Sequence, residues 1–490
     1  MISKSKIPLE VQSVAKALED TGFEAYLVGG CVRDILVNKV PKDWDITTNA
    51  HPDQIVALFP ETYCNNDFGT VGVVNEETED VTLKVVEVTP YRTESTYSDA
   101  RRPDSVTFGV SLEEDLKRRD FTVNAIAYRI HDEKLVDLFD GMGDITKKRL
   151  KTVGEPDERF AEDALRMMRA VRLSCELNFA IEAETLASIL KNNDNLGRIS
   201  VERIAEEFIK IINSPTPMQG IVLLEKLGLI TYILPEIKES IGCIQGGAHA
   251  YDVYEHILRT LQAAADKGYS TELRIAALLH DIGKPATRRA GGKNKEYTFF
   301  GHEVVGARMA KKILERLKMP RETIEMVEKL VRNHMFFSDP DLITLSAVRR
   351  TIVRIGQEHI VDLLNLRVCD RIGMGTAKEQ PFRFRKYKAM VDQALRDPIS
   401  VKMLAIDGTN IMEITGEKPG KKLGYILHTL LEEVLDNPGI NTKEYLTTRV
   451  LELTRLPDTE LEQLSESGKK KQEEEERAAL KDIAKEHNVV

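Results

Sequence analysis

The order of hydrophobic and polar residues changes along the chain. Up to about residue 150, short runs typical of β-strands, such as AYLVGG, TVGVVN and TLKVVEVTPY, alternate with helical patterns. From about residue 154 onward, apolar residues recur at spacings of three and four, as in EDALRMMRAVR and VERIAEEFIKII, which indicates amphipathic helices. The pattern predicts a small α/β or α+β domain at the start of the chain, followed by all-α domains.

The length and the changes in texture indicate several domains. A chain of 490 residues is too long for one hydrophobic core, and six of its ten histidines fall between about residues 241 and 395. The last stretch is dense in charge and nearly free of large apolar residues. We predict a first domain at 1–153, a helical neck at 154–240, a histidine-rich helical domain at 241–395, a helical tail at 396–457 and a charged, solvated C-terminus at 458–490.

Composition narrows the cellular setting more than the function. The five cysteines are scattered without a CxxC pair, which argues against a disulfide framework or a zinc ribbon and fits a reducing compartment. The N-terminus has no apolar signal-peptide core, and no apolar run approaches membrane-spanning length. We therefore expect a cytoplasmic protein without membrane contact. The net charge of −10 leaves nucleic-acid binding open, because a local basic groove can bind phosphates on an acidic protein.

The segment AYLVGGCVRDILVNKVPKDWDITT is the first candidate site. Gly29 and Gly30 would allow a tight turn beside a phosphate at the N-terminus of a helix, and Arg33 and Asp34 follow one turn into that helix. Arg33 can reach toward the same anion. A plain turn explains a lone pair of glycines equally well, so this pattern predicts a phosphate site only in combination with others.

Three acidic residues supply that combination. Asp43 and Asp45 flank Trp44 in a β-like stretch that would place both carboxylates on one face, and Glu87 lies among apolar residues of a later strand. Repelling carboxylates held side by side suit a cation such as Mg²⁺, although an isolated DxD is usually a surface loop. Together they match phosphoryl transfer by two metal ions roughly 3.5–4 Å apart.

Five segments in order carry a family resemblance. GGCVRDILVNKVPKDWDITT resembles the signature of the class II tRNA nucleotidyltransferases, which include the CCA-adding enzymes and their bacterial poly(A) polymerase relatives in the polymerase-β superfamily. The later motifs are KRRDFTVNAIAY at 117–128, DLFDGMGD at 137–144, EDALRMMRAVR at 162–172 and RISVERIAEEF at 198–208. The resemblance implies a polymerase-β-like head, Mg²⁺ at the carboxylates, and tRNA, CTP and ATP as partners.

The later motifs add nucleotide-binding residues. From the residues alone, Arg119 can pair with phosphate and Asp120 can contact the sugar, and the resemblance adds Asn124 to the nucleotide site. Asp163 and Arg166 are read as i,i+3 neighbours on one helix face, continued by Arg169 and Arg172; a simple intrahelical ion pair is the alternative. The resemblance implies that Asp163 and Arg166 present hydrogen-bonding edges to the incoming base and select CTP and ATP.

Members of this family differ in product. The long polar stretch after Glu87, which contains Arg101, Arg102 and Pro103, is similar to the loop that full CCA-adding enzymes have and CC-adding enzymes lack. The region after the DxD lacks the basic patch usual in bacterial poly(A) polymerases. We expect complete CCA addition and repair, with poly(A) synthesis or a partial CC- or A-adding activity as the alternative.

A second set of metal-ligand residues lies in the histidine-rich domain. Its members are His256, His280, Asp281, His302, His334 and Asp370. In this order they resemble the HD phosphohydrolases, and mixed imidazole and carboxylate ligands favour Mn, Fe, Co, Ni or Zn. Lys284 would assist phosphate binding. The resemblance implies hydrolysis of a phosphoester at an RNA 3′ end; the alternative is a degenerate helical domain kept for tRNA contact.

The C-terminal helices add only general expectations. MLAIDGTNIMEITGEKPGKKLGYILHTL is similar to the tail of the same family, where Lys418, Lys421 and Lys422 would meet phosphates near the tRNA elbow, although a solvated helix start is equally consistent. A rival interpretation of the whole chain is an HD phosphohydrolase with a non-catalytic RNA-binding head, which five intact head motifs oppose. The sequence leaves the oligomeric state open.

Overall fold

The computed structural model describes residues 2–64, 69–94, 106–246, 250–291, 296–336, 343–375 and 379–465. The chain divides into two compact units, Met1–Pro235 and Glu236–Val490. None of the helices in these described ranges is long and apolar enough to cross a membrane.

The first half of the first unit is built on a mixed sheet. Its strands and helices up to residue 150 are α1 Leu9–Asp20, β1 Ala25–Val28, α2 Gly30–Leu36, β2 Asp45–Thr48, α3 Pro52–Leu58, β3 Thr62–Cys64, β4 Val71–Val74, β5 Val85–Pro90, β6 Arg92–Glu94, β7 Val106–Phe108, α4 Leu112–Lys117, β8 Ile126–Arg129, β9 Lys134–Asp137, α5 Gly141–Thr146 and β10 Arg149–Leu150. Short 3₁₀ helices at Lys4–Lys6 and Thr122–Asn124 complete this part.

Within the described residues, seven strands form the main sheet in the order β3-β4-β5-β2-β1-β8-β9. Strands β2 and β5 run parallel and the other neighbours run antiparallel. Exposure alternates along β5, where Val86 and Val88 are buried, as expected for a strand with one face on a core. The predicted α+β class is confirmed.

The second half of the first unit is helical. Its elements are α6 Pro156–Glu162, α7 Leu165–Leu177, β11 Ala180–Ile181, α8 Ala183–Asn192, α9 Val201–Ile212 and α10 Pro217–Lys226, with 3₁₀ helices at Asn193–Arg198 and Leu229–Tyr232. Helix α9 buries Ile204, Phe208 and Ile211 at spacings of four and three, so one stripe faces the core.

The second unit is almost entirely helical. Its elements are α11 Val253–Asp266, α12 Thr271–Leu279, α13 Lys284–Thr287, β12 Arg289–Ala290, β13 Tyr297–Thr298, α14 His302–Arg316, α15 Arg321–Asn333, α16 Leu345–Ile355, α17 Ile360–Gly373, α18 Phe382–Ala394, α19 Gly408–Thr415, α20 Lys421–Asp436 and α21 Lys443–Thr454. Short 3₁₀ helices lie at Pro235–Ser240, Val401–Met403 and Pro438–Ile440. Helix α11 packs against both α12 and α17, which brings distant polar residues to one interior.

Candidate active sites

A glycine turn joins β1 to α2. Gly29 has φ 79° and ψ −135°, a combination that a side chain strongly disfavours, and it caps the helix that begins at Gly30. A Cβ atom at Gly29 would lie 3.3 Å from Nη1 of Arg119 and 3.5 Å from Oδ2 of Asp45. The missing side chain therefore lets a guanidinium and a carboxylate close onto the turn.

The acidic residues meet at the neighbouring strands. Asp45 opens β2 and stands opposite Glu87 of the parallel strand β5, so both side chains lie on one face, while Asp43 lies in the loop before the strand. Burial and the charges of Glu87 and Asp43 raise the pKa of Asp45 to about 6, against the opposing pull of Arg119 and Arg33. Excess negative charge of this kind is what a divalent cation relieves, so these residues fit a metal site.

A buried hydrogen-bonded chain links α2 to α7. Arg33 donates from Nη1 to Oδ1 of Asn124 at 2.6 Å, and it also pairs with Asp34. Asn124 donates from Nδ2 to Oδ1 of Asp120 at 3.0 Å, and Asp120 accepts from Arg169 on α7 through Oδ2 at 2.6 and 2.8 Å. We call these four residues, Arg33, Asn124, Asp120 and Arg169, the Asn124 chain.

The charges in this chain stabilise one another. Burial alone would raise the pKa of Asp120, but Arg169 and Asn124 hold it well below its usual range. Arg33, Asn124 and Asp120 are each no more than 8% exposed. The structure thus brings together five of the predicted nucleotide-site residues, but Arg33 already has polar partners here and does not point freely toward an anion.

Asp115 belongs to this site and sequence reasoning missed it. Its fully buried carboxylate accepts from Arg118 at 2.7 Å, from Arg119 at 3.2 Å and from Thr47 at 3.2 Å. Burial raises the pKa of Asp115, yet the two arginines lower it below its usual value. The spacing of Asp115 to the arginines, three and four residues on a helix, was a usable signal. Asp115 fixes the guanidinium of Arg119 beside Gly29.

The prediction that Asp163 and Arg166 are neighbours on one face of a single helix is wrong. Helix α6 ends at Glu162, Asp163 is extended with φ −143° and ψ 104°, and α7 begins only at Leu165. One oxygen of Asp163 accepts from the backbone N–H of Leu165 at 3.0 Å, and the other accepts from Arg203 of α9 at 2.7 Å. Asp163 therefore lies at a break between two helices, tied to the next motif.

The arginines of α7 have separate partners. Arg166 pairs with Glu162 and donates to the carbonyl oxygen of Arg118 at 3.2 Å. Arg172 pairs with Glu207 of α9 at 2.7 Å and with Glu176 at 3.1 Å, so it lies among neck residues rather than with the Asn124 chain. Three of these partners carry charge: Glu162, Glu176 and Glu207. Sequence reasoning missed them, as it missed Arg203.

All six predicted ligands of the second site meet in the interior of the second unit. They lie on or beside five helices: His256 on α11, His280 and Asp281 after α12, His302 at the start of α14, His334 after α15 and Asp370 on α17. All are at least 95% buried. The only clusters of three metal-ligand atoms within 4.8 Å of one another in the described chain are His256–His280–Asp370 and Asp281–His302–His334.

Asp281 joins the two clusters. Its Oδ2 lies 3.1 Å from Nε2 of His256 and 3.2 Å from Nε2 of His280, while its Oδ1 lies 3.2 Å from Nε2 of His302 and 3.5 Å from Nε2 of His334. The Nε2 atoms of His256 and His280 are 3.0 Å apart, and those of His302 and His334 are 3.3 Å apart. Each of the two clusters could hold a divalent ion, and Asp281 directs one oxygen toward each of them.

Backbone carbonyls set the tautomers of three of these histidines. The Nδ1 atoms of His280, His302 and His334 lie 2.7–2.8 Å from the carbonyl oxygens of Ala277, Phe299 and Val331. A proton on Nδ1 leaves the lone pair of Nε2 directed at the cluster, as a metal ligand requires. Burial lowers the pKa of His334, whereas Asp281 and Asp370 overcome burial and raise that of His256 to about 9.

Lys284 adds a positive charge to this cluster. Its Nζ lies 2.6 Å from Oδ2 of Asp281 and 2.6 Å from Oε1 of Gln245. The intervening Gly283 packs tightly, since a Cβ atom there would lie 2.4 Å from the carbonyl oxygen of His302. In the segment 280–284, Asp281 and Lys284 therefore contact each other in the cluster, and the small Gly283 between them allows the His302 carbonyl to approach closely.

The remaining predicted residues are distributed as follows. Lys418 lies exposed at the turn before α20 and Lys421 is exposed as the first residue of that helix, while Lys422 pairs with Glu417 at 2.9 Å. The residues Arg101, Arg102 and Pro103 lie outside the described residues, as does most of the predicted charged C-terminus, which is described only to residue 465.

Three family models match separate parts of the chain. The chain matches the models of the poly A polymerase head domain at residues 25–151, of a probable RNA and SrmB binding site of polymerase A at 178–241, and of the HD domain at 253–369.

Curated relatives share most of the chain. A CCA-adding enzyme of Levilactobacillus brevis is 34% identical over 439 residues, covering 89% of this chain and 96% of the relative. A CCA-adding enzyme of Enterococcus faecalis is 33% identical over 441 residues, covering 89% and 94%.

Solved structures share the fold. The CCA-adding enzyme of Bacillus stearothermophilus in complex with CTP has a TM-score of 0.69 at 28% identity, covering 93% of this chain and 98% of that one. The Thermotoga maritima CCA-adding enzyme complexed with tRNA has a TM-score of 0.52 at 18% identity, covering 90% and 94%, and so supports the fold alone.

Proposed function

The chain belongs to the family of CCA-adding enzymes, and we propose that it adds and repairs the 3′-terminal CCA of tRNA with CTP and ATP. The observation that carries this function is the glycine turn at Gly29, closed by Arg119 and Asp45, with Glu87 on the paired strand. The chain combines a match to the poly A polymerase head domain with a match to the HD domain, and both kinds of domain imply the use of divalent metal ions.

We infer the following reaction at this site. The 3′-hydroxyl oxygen of the tRNA attacks the α-phosphorus of the nucleotide, one P–O bond forms, and pyrophosphate leaves. Mg²⁺ held by Asp43 and Asp45 would lower the charge of the triphosphate and acidify the hydroxyl when bound. Glu87 completes the acidic face, and the backbone amides after Gly29 and the guanidinium of Arg119 hold the triphosphate.

Base selection is assigned to the break before α7. The carboxylate of Asp163 would accept from the exocyclic amine that cytosine and adenine share, and Arg166 would donate to a ring nitrogen or carbonyl. Uracil and guanine present a carbonyl at the matching position, which leaves the carboxylate facing an acceptor. Asp120 would contact the sugar. The residues proposed to support it are Gly30, Arg33, Asp34, Asn124 and Arg169. Arg172 lies further along α7, the helix that carries Arg169.

The decisive experiment is product sequencing. Purified protein should extend a tRNA transcript that lacks its 3′ end by CCA and then stop when all four nucleotides are present. The variants Asp43→Ala and Asp45→Ala should abolish incorporation, with Asp53→Ala on the neighbouring helix α3 as a matched control. A homopolymeric tail or arrest after CC would contradict the proposal. Relatives named for CCA addition disfavour poly(A) synthesis.

We further propose that the second unit is an active phosphohydrolase. Water activated at the histidine cluster would attack the phosphorus of a 2′,3′-cyclic or 2′-phosphate at an RNA 3′ end, breaking one P–O ester bond, and Lys284 would bind a phosphate oxygen. The mixed donors favour Mn, Ni, Co, Fe or Zn as the ion. Protein loaded with each ion should hydrolyse 2′,3′-cyclic AMP, and His280→Ala should not. Absence of turnover with every ion would refute hydrolysis.

The wider organisation is also proposed. We retain the head at 1–153, the neck at 154–240, the HD domain at 241–395, the tail at 396–457 and the charged end at 458–490. We infer that Lys418 and Lys421 of the tail contact tRNA phosphates, because both are exposed. A cytoplasmic location fits five cysteines that are free.

A further inference from the structure

Helix α18 carries an arrangement of charge that is unfavourable for the helix itself. Its first seven residues, 382–388, include Arg383, Arg385, Lys386 and Lys388 and no acidic residue. Arg383 and Arg385 lie in the first turn of the helix, where cations oppose the macrodipole. Arg383 with Lys386, and Arg385 with Lys388, are also like-charge neighbours three residues apart, which destabilises a helix further.

Among the described residues, two of these four cations, Arg385 and Lys388, have no acidic neighbour that offsets their charge. Within the described residues, Arg385 and Lys388 form no ion pair, and Asp392, one turn further on, lies beyond ion-pair distance. Glu379, which precedes the helix, pairs instead with Lys267 at 2.9 Å. A segment that contradicts its own helix electrostatics is expected at a functional surface.

The same cations share their face with an exposed aromatic ring. Phe384, Tyr387 and Val391 are buried and hold α18 against the unit, which turns Arg383, Arg385 and Lys386 outward beside Phe382, a side chain that is 70% exposed. Cations that follow a phosphate backbone and rings on which bases stack are the combination used to bind single-stranded nucleic acid. An acidic protein partner would bind the positive charges through its carboxylates, but it would bring no base to stack on the exposed ring of Phe382.

This helix lies next to the histidine cluster. The ring of Tyr387 packs on that of Phe336 with centroids 5.2 Å apart, and Phe336 follows the cluster residue His334 by two positions. Between them Met335 is 54% exposed. The buried side of α18 is thus one packed ring away from the end of α15, where a terminal phosphate would be hydrolysed.

We propose that the outer face of α18 binds the single-stranded 3′ end of an RNA and delivers its terminal phosphate to the histidine cluster. The residues of this α18 basic face are Phe382, Arg383, Arg385 and Lys386, which are exposed, with Lys388 half-buried at its edge. The inference rests on the proposed phosphohydrolase and narrows its substrate: the end of a polynucleotide, rather than a free nucleotide, is the preferred class. A free cyclic nucleotide has one phosphate and cannot reach both the cluster and this face.

The test compares two substrates on metal-loaded full-length protein. One is a ten-nucleotide RNA that ends in a 2′,3′-cyclic phosphate, and the other is free 2′,3′-cyclic AMP. The double variant Arg385→Gln/Lys388→Gln should lower kcat/KM for the RNA about tenfold, mainly through KM, and leave the free nucleotide unchanged. Its log–log salt slope should become shallower by about 1.4, since each lost phosphate contact removes roughly 0.7 for a single strand.

The matched control removes two other exposed cations, Lys312 of α14 and Lys443 of α21, by Lys312→Gln/Lys443→Gln. It should retain the wild-type preference and salt slope on the same two substrates. Equal effects of Arg385→Gln/Lys388→Gln on both substrates, or no effect on the RNA, would overturn the proposal and leave the face to a partner other than RNA. If the wild type turns over neither substrate, hydrolysis fails, and binding of the same RNA, measured by anisotropy, still tests the α18 basic face.

Discussion

Replacing Asn124 by Leu would interrupt the hydrogen-bonded chain between the triphosphate helix and the base-selecting helix. Asn124 makes two hydrogen bonds to charged partners, one from Arg33 at 2.6 Å and one to Asp120 at 3.0 Å. Such bonds contribute roughly 1.5–3 kcal/mol each. Because both partners keep other contacts, we expect the low end for each bond, a loss of about 3 kcal/mol in the stability of the head.

The functional effect should be on nucleotide choice. Arg33 lies on α2 and Arg169 on α7, so under the proposed function the Asn124 chain would fix the distance between the bound triphosphate and the residues proposed to read the base. A site whose supports loosen by roughly 1 Å loses discrimination, because the wrong base can then settle into a compensating position. We expect the ratio of kcat/KM for CTP over UTP to fall about tenfold, which is about 1.4 kcal/mol.

Steady-state incorporation into a tRNA lacking CCA measures this ratio, with thermal melting to follow folding. Asn124→Asp retains an acceptor for Arg33 but cannot donate to Asp120, so its discrimination should be nearly as poor as that of Asn124→Leu. Asn193→Leu, which removes an amide that donates to a backbone carbonyl of the neck, should leave the ratio intact. An equal loss with all four nucleotides would show that Asn124 is a uniform nucleotide ligand and would refute the argument.

Three further predictions concern the same unit. Asp163→Ala should relax nucleotide choice while tRNA binding in a filter assay is retained, and Arg203→Met should do so more weakly, because it only releases the carboxylate; loss of tRNA binding would contradict this. Gly29→Ala should raise the KM for nucleotide, since strain of about 1–3 kcal/mol is added beside a guanidinium, whereas Gly242→Ala, with positive φ and open space, should lower stability without changing KM. Asp115→Asn should lower thermal stability most at neutral pH. Because the pKa of Asp115 is depressed in the folded state, the stability that its carboxylate contributes is present above the unfolded pKa of about 4 and is lost as the pH falls further. The melting temperatures of variant and wild type should therefore converge toward about pH 3, and divergence would refute the assignment.

The sequence was most informative where a rare residue type lay in an apolar setting. His280 and Asp281 end an apolar helix, and such buried polar residues need partners, which made a cluster of potential metal ligands predictable before its geometry was known. The strands β1 and β5 were predictable for a related reason, since their apolar runs are bounded by a glycine turn and a proline.

The break at Asp163 was not predictable. The letters EDALRMM contain neither glycine nor proline, and their periodicity continues smoothly, so a single helix is the natural prediction. The break coincides with the ion pair to Arg203, forty positions along the chain, and with the backbone cap at Leu165. Pairings between distant charges, like that of Asp115 with Thr47, leave no periodic trace in the local sequence.

Replacement of Asp281 and replacement of Asp370 would have unequal consequences for the evolution of the second site. Since each oxygen faces a different triad, any replacement of Asp281 removes a ligand from both ion positions at once. Asp370 serves only the triad of His256 and His280, so its replacement would leave the other triad whole. Substitution of Asp370 during evolution would therefore leave a site for one ion, whereas substitution of Asp281 would impair both ion positions in one step. In descendant chains we therefore expect Asp281 to be replaced only where the other ligand residues are no longer retained.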